Sequence, residues 1–370
     1  MSSIFDYLEW RGDISFDVDP FNEVDNLVLS ELAYTCFDGT VPYDGEAVPL
    51  SEVRNAYFRK HPRSAIREDS DHIAKAPLLM DGMVSGKRFA DTFLTGYVDI
   101  VDRDEAVQMA AVTILLGDGS AFIAFRGTDG TIAGWKEDFR MSYLQETEGQ
   151  RRAVWYLNET GKRVKRPLRL GGHSKGGNFA VYASAFCDKR IRKRIKGVYT
   201  NDGPGFRPEV MATDEYRSIL PLVTSIVPDT SVIGMLLTSD VAHRFVKSEA
   251  SVIAQHDPLT WEVMRNSFVE SKPSDLGLFI KNSQKGWLRK LDDRERELFV
   301  DTLFSILEAA GVHSLEQLGE KKLKALSDIR SSMKEIPKDK QKEMNRIIAE
   351  LLHSSSEAAR EMLTKKHTNP

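Results

Sequence analysis

The stretch that decides the fold is Arg169-Leu-Gly-Gly-His-Ser-Lys-Gly-Gly-Asn-Phe-Ala-Val-Tyr182, which contains the pentapeptide Gly172-His-Ser-Lys-Gly176. A strand-like run over residues 166–170 precedes it, and a helix-like run over residues 178–187 follows it. A G-x-S-x-G sequence between a strand and a helix is typical of a nucleophile elbow, a tight and strained turn that presents a serine. The pattern therefore predicts Ser174 as a nucleophile; the alternative is a glycine-rich turn with a solvated serine.

The composition limits the classes of protein that the chain can belong to. It has 370 residues, of which 41% are hydrophobic and 29% charged, and its net charge is −4. This length suffices for one large α/β domain with an appendage, and the mild negative charge argues against a general nucleic-acid binder. We expect no transmembrane segment and no signal peptide, and therefore a cytoplasmic location. Cys36 and Cys187 are expected to be buried free thiols.

The order of strand and helix patterns predicts the fold class. Three β-rich runs lie between residues 96 and 125, and strand and helix patterns then alternate as far as a last strand at residues 242–247. Antiparallel strands followed by βαβ units predict a mixed, mostly parallel sheet with helices on both faces. We expect residues 1–20 to be a loose lead-in, residues 21–270 to form the α/β domain, and residues 271–370 to form a helical C-terminal region.

The C-terminal region shows no strand pattern beyond Pro258. Its apolar residues recur at helical spacing in three stripes: Phe299, Leu303, Ile306 and Leu307; Leu326, Ile329, Met333 and Ile336; Met344, Ile347, Ile348, Leu351 and Leu352. We expect these stripes to pack against the main domain or against each other, and to supply no catalytic residue. A homo-oligomer formed through them, or a role at a membrane surface, is the alternative.

A serine nucleophile needs a base to take its proton and an acid to orient that base. In α/β-hydrolase elbows the chain order is Ser, then Asp or Glu, then His, so both partners should follow Ser174. Of His243, His256 and His313, we favour His256, because it lies in a loop directly after the predicted last strand. The alternative for His256 is a loop histidine that caps a turn with Asp257.

Two aspartates compete for the role of the orienting acid. Asp202 follows the first strand after the elbow, and Asp229 follows the second. Both should lie at the carboxyl ends of strands, where sites in open α/β sheets form. The usual position favours Asp229, and the alternative for Asp202 is a turn into the Gly-Pro-Gly loop at residues 203–205.

Two groups are expected to donate hydrogen bonds to an oxyanion. One is the backbone N–H of Lys175, next after the nucleophile, and the other is Thr128, in the strand end Phe125-Arg-Gly-Thr-Asp129. We expect no metal and no cofactor, since the sequence shows no His/Cys ligand cluster.

Together these motifs resemble the class 3 lipase group of α/β-hydrolases, and more closely a mainly bacterial lipase-like family with a G-H-S-K-G-G elbow. The resemblance covers about residues 20–265 and implies an α/β-hydrolase fold, a Ser174–Asp229–His256 triad and an oxyanion donor at Thr128. The residues that carry it are Phe125-Arg-Gly-Thr128, Trp135, Asp138, Gly172-His-Ser-Lys-Gly-Gly177, Val227-Pro-Asp229 and a late histidine.

One position departs from the lipase pattern, because lipases usually have an apolar residue where Lys175 stands. A cation at a helix N-terminus opposes the helix dipole, at a cost of ~0.3–1 kcal/mol. Lys175 either pairs with a nearby carboxylate such as Asp202 or Asp129, or binds an anionic group of the substrate.

The sequence thus predicts a serine hydrolase that acts on lipid or other acyl esters. An apolar groove is expected between Ile132, Ala133 and Trp135 on one side and residues 232–237 on the other. A lid is expected from residues 203–220 or 131–143. The alternatives are an inactive binding or scaffold protein that acts through its helical tail, and an enzyme that transfers the acyl group to an acceptor other than water.

Overall fold

Eight strands form one sheet in the computed structural model, which describes residues 2–69, 72–102, 107–129, 132–309 and 337–368. The strands follow one another in chain order across the sheet. They are Val48–Pro49 (β1), Phe93–Asp102 (β2), Val107–Leu115 (β3), Ala121–Phe125 (β4), Leu168–His173 (β5), Ile195–Asn201 (β6), Val223–Pro228 (β7) and His243–Val246 (β8). A separate antiparallel pair, Val263–Met264 (β9) and Ser267–Phe268 (β10), follows.

The described helices surround this sheet. They are Ile4–Arg11 (α1), Glu23–Leu32 (α2), Leu50–Lys60 (α3), Arg63–Glu68 (α4), His72–Lys75 (α5), Leu79–Ser85 (α6), Ile132–Arg140 (α7), Glu148–Arg163 (α8), Lys175–Phe186 (α9), Lys189–Arg192 (α10), Pro208–Met211 (α11), Asp214–Ile219 (α12), Asp275–Lys290 (α13), Asp293–Ala309 (α14) and Lys338–Thr368 (α15). Short 3-10 helices cover Ala76–Leu78, Leu220–Leu222, Val252–His256 and Pro258–Thr260.

Strand direction changes at β4. The strands β1 to β4 pair antiparallel, and β4 to β8 pair parallel. The carboxyl ends of β4, β5, β6 and β7 therefore meet at one edge, where sites of open α/β sheets form. The α/β fold with a mixed, mostly parallel sheet and a C-terminal helical appendage, predicted from the sequence, is confirmed.

The two faces of the sheet bury separate cores. Successive side chains of a strand point to opposite faces, so Phe122 packs into one core with Leu27 of α2, while Ile123 packs into the other with Phe179 of α9. Both faces are covered by helices, which explains why β4 reads as an unbroken apolar run rather than an alternating one.

The first twenty residues are not a loose lead-in, which corrects the expectation from the sequence. Ser3 caps α1 in a capping box, and Ile4 and Tyr7 are fully buried in the core. The guanidinium of Arg88 then donates to the carbonyls of Ile14, Asp19 and Pro20. The lead-in is therefore part of the packed domain.

The two cysteines are free, but they differ in exposure. Cys187 is buried as expected, while Cys36 is exposed, so the expectation for Cys36 is wrong. Cys36 follows the buried helix α2 and lies where the chain turns toward the surface.

The C-terminal helices pack against the domain and against one another. Val300, Phe304 and Leu307 of α14 form a small core with Phe139 of α7, and the indole N–H of Trp287 in α13 donates to the carbonyl of Ile347 in α15 (3.2 Å). The packing expected of the first stripe is confirmed. In the third stripe Met344 and Ile347 are buried, whereas Ile348 and Leu352 are exposed, so its packing is confirmed only in part. The stripe at residues 326–336 lies outside the described residues. The hairpin β9–β10 corrects the expectation of no strand after Pro258.

None of the described helices is both long and apolar enough to span a membrane.

Candidate active site

The turn at Ser174 has the strained backbone of a nucleophile elbow. Ser174 joins β5 to α9 with φ 55° and ψ −131°, a region that costs about 1–3 kcal/mol for a residue with a side chain. A side chain at Gly176 would overlap the carbonyl of Phe125 in β4, so glycine is required there. The helix begins at Lys175, three residues earlier than predicted, and its free N–H groups therefore surround Ser174.

The end of β4 lies directly against the nucleophile. A Cβ atom at Gly127 would stand 3.1 Å from Cβ of Ser174 and 2.6 Å from the carbonyl oxygen of His173. Thr128 follows, and its Oγ1 donates to Oδ2 of Asp138 at 2.7 Å. Because the hydroxyl is engaged in this bond, the backbone N–H of Thr128 is the better candidate to face an oxyanion.

His256 pairs with Asp202, and this corrects the preference for Asp229. The Nδ1 atom of His256 lies 2.6 Å from Oδ2 of Asp202. Asp202 is fully buried with a positive φ of 50°, and its Oδ1 accepts hydrogen bonds from the N–H of Gly234 (3.1 Å) and from Oγ of Ser231. Since a carboxylate accepts, Nδ1 of His256 carries the proton and Nε2 is left with a lone pair.

The carboxylate of Asp229 accepts a hydrogen bond from Gln255, the residue before His256. Gln255 donates through Nε2 to Oδ1 of Asp229 (2.9 Å) and accepts from the N–H of Thr230 (2.8 Å). Ser271 donates to the other carboxylate oxygen at 3.1 Å. Gln255 and His256 are neighbours in the chain, but they contact the ends of two adjacent strands. Asp229 therefore holds the loop in place rather than orienting the imidazole.

His173, the residue before the nucleophile, contacts the loop that carries His256. Its ring centroid lies 4.5 Å from that of His256, and its Nε2 lies 2.9 Å from the carbonyl oxygen of His256. Because a carbonyl can only accept, Nε2 of His173 carries the proton and Nδ1 accepts from Oη of Tyr34 (2.9 Å). Burial lowers the pKa of His173 well below its ordinary value, which agrees with a neutral ring.

The side chain of Lys175 is fully buried and contacts two carboxylates of α7. Its Nζ lies 3.0 Å from Oε2 of Glu137 and 3.9 Å from Oδ1 of Asp138. The pairing that we expected with Asp202 or Asp129 is therefore replaced by one with Glu137. With no exposed surface, the ammonium group does not meet a substrate anion, and the possible contribution of Lys175 to an oxyanion is its backbone N–H.

Asp138 is the second carboxylate near this ammonium group. Burial raises its pKa to about 6, against the opposing effects of Lys175 and of the hydrogen bond from Thr128. Its Oδ1 atom accepts no hydrogen bond from the described residues. Asp138 thus fixes the orientation of the Thr128 side chain.

The remaining histidine candidates lie elsewhere. His243 is in β8, where Nδ1 is 2.8 Å from Oγ of Ser225, and burial lowers its pKa to about 4. His313 lies outside the described residues.

The segments expected to form an apolar groove are only partly described. The side chains of Ile132 and Ala133 lie outside the described part of the structure, and Trp135 packs against the core that α14 forms with α7. Residues 229–238 form turns and bends rather than a core helix, and Ile233 and Met235 are buried there.

Sequence reasoning missed three residues that hold the site. Asn178 donates to the carbonyls of Pro204 (3.2 Å) and Gly205 (2.9 Å), so it ties α9 to the loop after Asp202. The side-chain amide of Gln255 donates to the carboxylate of Asp229, and the carboxylate of Glu137 pairs with the ammonium group of Lys175. Each of the three lies within four residues of a motif residue, which indicates that it is near the site. The residues that they contact could not be inferred from spacing.

Two solved lipase structures are among those that resemble this chain. The structure resembles that of M37 lipase, with 14% sequence identity and a TM-score of 0.34, over 63% of this chain and 76% of that one. It also resembles the Rhizomucor miehei lipase propeptide complex, with 13% identity and a TM-score of 0.34, over 57% of this chain and 75% of that one. No curated protein sequence matches.

A family model also matches the chain. The family model described as Mbeg1-like matches residues 83–305, more than half of the chain. The matched segment contains Ser174, Asp202 and His256, and it continues through α13 into α14, whereas we expected the resemblance to end near residue 265. The chain therefore belongs to the Mbeg1-like family.

Proposed function

We propose that the chain is a serine hydrolase that cleaves carboxylic esters, with Ser174 as nucleophile, His256 as base and Asp202 as the acid that orients the base. The observation that carries the proposal is the His256–Asp202 pair (2.6 Å), together with a strained Ser174 whose preceding residue, His173, contacts the ring of His256. Strain of this kind persists where the surrounding structure enforces it, as it does at functional sites. Membership of a lipase-like family supports a hydrolase at the coarse level.

In the proposed reaction, Oγ of Ser174 attacks the ester carbonyl and its proton passes to Nε2 of His256. The imidazolium is stabilised by the carboxylate of Asp202, and it then protonates the leaving alcohol as the C–O bond breaks. A water molecule attacks the acyl-enzyme, His256 takes one proton from that water, and the proton returns to Ser174 as the acid product leaves. These reaction steps require neutral His256 with its proton on Nδ1, which is the tautomer that the hydrogen bond to Asp202 favours.

The oxyanion would be stabilised by two backbone N–H groups. One belongs to Lys175 at the N-terminus of α9, and the other belongs to Thr128 at the end of β4, beside Gly127. Removing one such donor in other enzymes costs about 10²–10³ in kcat. The hydrogen bond from Thr128 to Asp138 (2.7 Å) would hold this strand end in position.

We propose an apolar acyl group for the substrate. The segment at residues 232–237 still borders the site after the change of acid, because Ser231 and Gly234 donate to Asp202. Each methylene of an acyl chain that is buried in a groove adds up to ~0.8 kcal/mol. The ratio kcat/KM across acetyl, butyryl, octanoyl and palmitoyl p-nitrophenyl esters should therefore climb until the groove is filled. A flat profile, or a strict preference for acetyl, would leave a small-ester hydrolase.

Covalent labelling tests the nucleophile. A fluorophosphonate probe should label the wild type and should not label Ser174→Ala, whose circular dichroism should be unchanged. Ser184→Ala is the matched control, since Ser184 lies in α9, the helix that follows Ser174, and its buried hydroxyl donates to the carbonyl of Ala180. It should label like the wild type. Labelling of Ser174→Ala would refute the assignment, and no labelling of the wild type would favour the inactive scaffold.

A further inference from the structure

Behind the elbow, on the side of the sheet that carries α2, three ligand-type side chains converge from distant parts of the chain. Glu31 comes from α2, His72 from α5 and His173 from the end of β5. One potential ligand atom from each lies within 4.8 Å of the other two. None of the three has a role in the proposed acyl transfer.

The distances fit the edges of a tetrahedral metal site. The Nδ1 atom of His72 lies 3.1 Å from Oε2 of Glu31, and Nδ1 of His173 lies 3.7 Å from Oε1 of Glu31. Zinc–ligand bonds of about 2.0–2.2 Å place the ligand atoms of a tetrahedron roughly 3.3–3.6 Å apart. The two distances end on different oxygens of Glu31, so the carboxylate would bind an ion through both oxygens, or one oxygen would move toward the second histidine.

A cation would stabilise the buried carboxylate of Glu31. Its side chain has no exposed surface, and its Oε1 accepts no hydrogen bond from the described residues. A buried carboxylate with one unsatisfied oxygen is costly unless it is paired or coordinates a metal.

The hydrogen bonds of His173 prepare it as a ligand. Its Nε2–H is held by the carbonyl of His256, so the lone pair is on Nδ1, the atom that faces Glu31. A metal-bound histidine almost always donates its other ring N–H to a carbonyl or a carboxylate in this way. The phenol oxygen of Tyr34 lies 2.9 Å from Nδ1 of His173 and donates to it, so a bound ion would replace this hydrogen bond.

We propose that Glu31, His72 and His173 bind a zinc ion, with Tyr34 or a water molecule as fourth ligand. The ion would join α2, α5 and the elbow, and through His173 it would hold the backbone of His256. Its role is structural, because the ligands lie behind the nucleophile rather than at the reacting atoms. Sequence spacing did not indicate this cluster, because its members are 41 and 101 residues apart.

Zinc binding by the full chain tests the proposal directly. Cys36→Ser should be the background for all variants, since the exposed thiol of Cys36 is a competing zinc ligand. Chelator-treated protein should take up about one zinc per chain on dialysis against Zn²⁺. At a thousandfold excess over Kd, bound zinc should raise Tm by roughly 5 °C.

Matched variants locate the ion. Glu31→Gln and His72→Ala should both lose the bound zinc and the Tm shift. His61→Ala, which removes an exposed histidine outside the cluster, should keep both. Ser174→Ala should also keep both, so the result does not depend on whether the chain is an esterase.

Zinc K-edge absorption of the Cys36→Ser protein decides the question even if a ligand variant fails to fold. Nitrogen and oxygen neighbours at about 2.0–2.1 Å, including imidazole, are expected, and sulfur at about 2.3 Å would place the ion elsewhere. The proposal is overturned by that sulfur signal, by a protein that takes up no zinc, or by His72→Ala and Glu31→Gln proteins that bind zinc like their parent. The remaining arrangement would then be a metal-free ion pair of Glu31 and protonated His72.

Discussion

Asp202 and Asp229 end adjacent parallel strands, and the difference between them lies in which neighbour each one meets. Asp202 meets His256 at 2.6 Å, while Asp229 meets Gln255 at 2.9 Å. Asp202 is fully buried and receives two further donors. A carboxylate held in this way can orient an imidazole and stabilise its charged form.

Substitution by asparagine should therefore lower the activity at Asp202 but not at Asp229. Asp202→Asn should lower kcat/KM for a p-nitrophenyl ester by about 10⁴, because an amide would favour the wrong tautomer of His256. Asp229→Asn is the matched control and should stay close to wild type, since its oxygens accept from Gln255 and Ser271. The reverse pattern of losses would restore Asp229 as the acid.

Lys175 shows how a departure from the lipase pattern is accommodated. Its buried ammonium group meets Glu137, whose two oxygens also accept from the N–H groups of Gln108 (3.1 Å) and Gly149 (2.9 Å). A buried pair of this kind is strongly destabilising to break from one side, whereas its removal as a pair is often neutral.

Lys175→Met should lower the free energy of unfolding by about 3–5 kcal/mol, because it leaves the charge of Glu137 buried without its partner. The double variant Lys175→Met/Glu137→Gln should recover much of that loss. Lys136→Met is the control, since its pair with Asp301 is half-exposed and such pairs contribute about 0–1 kcal/mol. Urea denaturation measures all three, and a Lys175→Met protein as stable as wild type would contradict the account.

At the scale of elements, α7 connects the elbow to the C-terminal helices. Glu137 faces Lys175 at the start of α9, and the opposite side of α7 places Phe139 against Phe304 of α14, with ring centroids 5.8 Å apart. The segment that we expected as one of two possible lids is therefore held from both sides. Its movement would break a buried ion pair and a small apolar core.

Removing the apolar contact should loosen α7. Phe304 is almost fully buried, so Phe304→Ala should cost about 3–5 kcal/mol and should raise hydrogen exchange over residues 132–140. Leu352→Ala, at a side chain that is 65% exposed on α15, should change neither. Unaltered exchange over α7 in Phe304→Ala would show that α14 does not restrain it.

At the scale of the whole molecule, the C-terminal helices are joined to the domain next to the site. The N–H of Ser274, the residue before α13, donates to the carbonyl of Asp229 (2.8 Å), and Asp293 of α14 pairs with Arg207 (2.8 Å). Both helices lie largely within the family match at residues 83–305. The boundary near residue 270 drawn from the sequence therefore cuts through an interface.

Truncation should separate the helices that the domain needs from the rest. A chain ending at Ala309 keeps the contacts of α13 and α14 with the domain and should keep the kcat/KM of the full chain. A chain ending at Ser271 exposes Trp135, Phe139 and Tyr143, which pack on α14, and should aggregate. Size-exclusion chromatography with light scattering measures this, and it also tests the homo-oligomer expected of the tail. A soluble, fully active chain ending at Ser271 would contradict the prediction.

The sequence alone determined the elements of this protein whose physics is local. Strand and helix periodicity follows from side-chain burial within a few residues, which is why the strand patterns at residues 96–125 and 242–247 agree with β2 to β4 and β8. The glycines and the serine of the elbow specify a turn by their own steric needs, and so Ser174 could be placed before the structure. The helical tail was identified in the same way, since its stripes are a property of neighbouring turns.

Tertiary structure decided which side chains meet. Gln255 and His256 are adjacent in sequence, and their directions, set by the turn between β8 and Trp261, decide which aspartate each one contacts. Lys175 pairs with Glu137 because α7 packs beside the elbow. Glu31, His72 and His173 converge only when α2 and α5 pack against the end of β5. Such contacts depend on side-chain orientation across long chain separations, which spacing in a sequence does not encode.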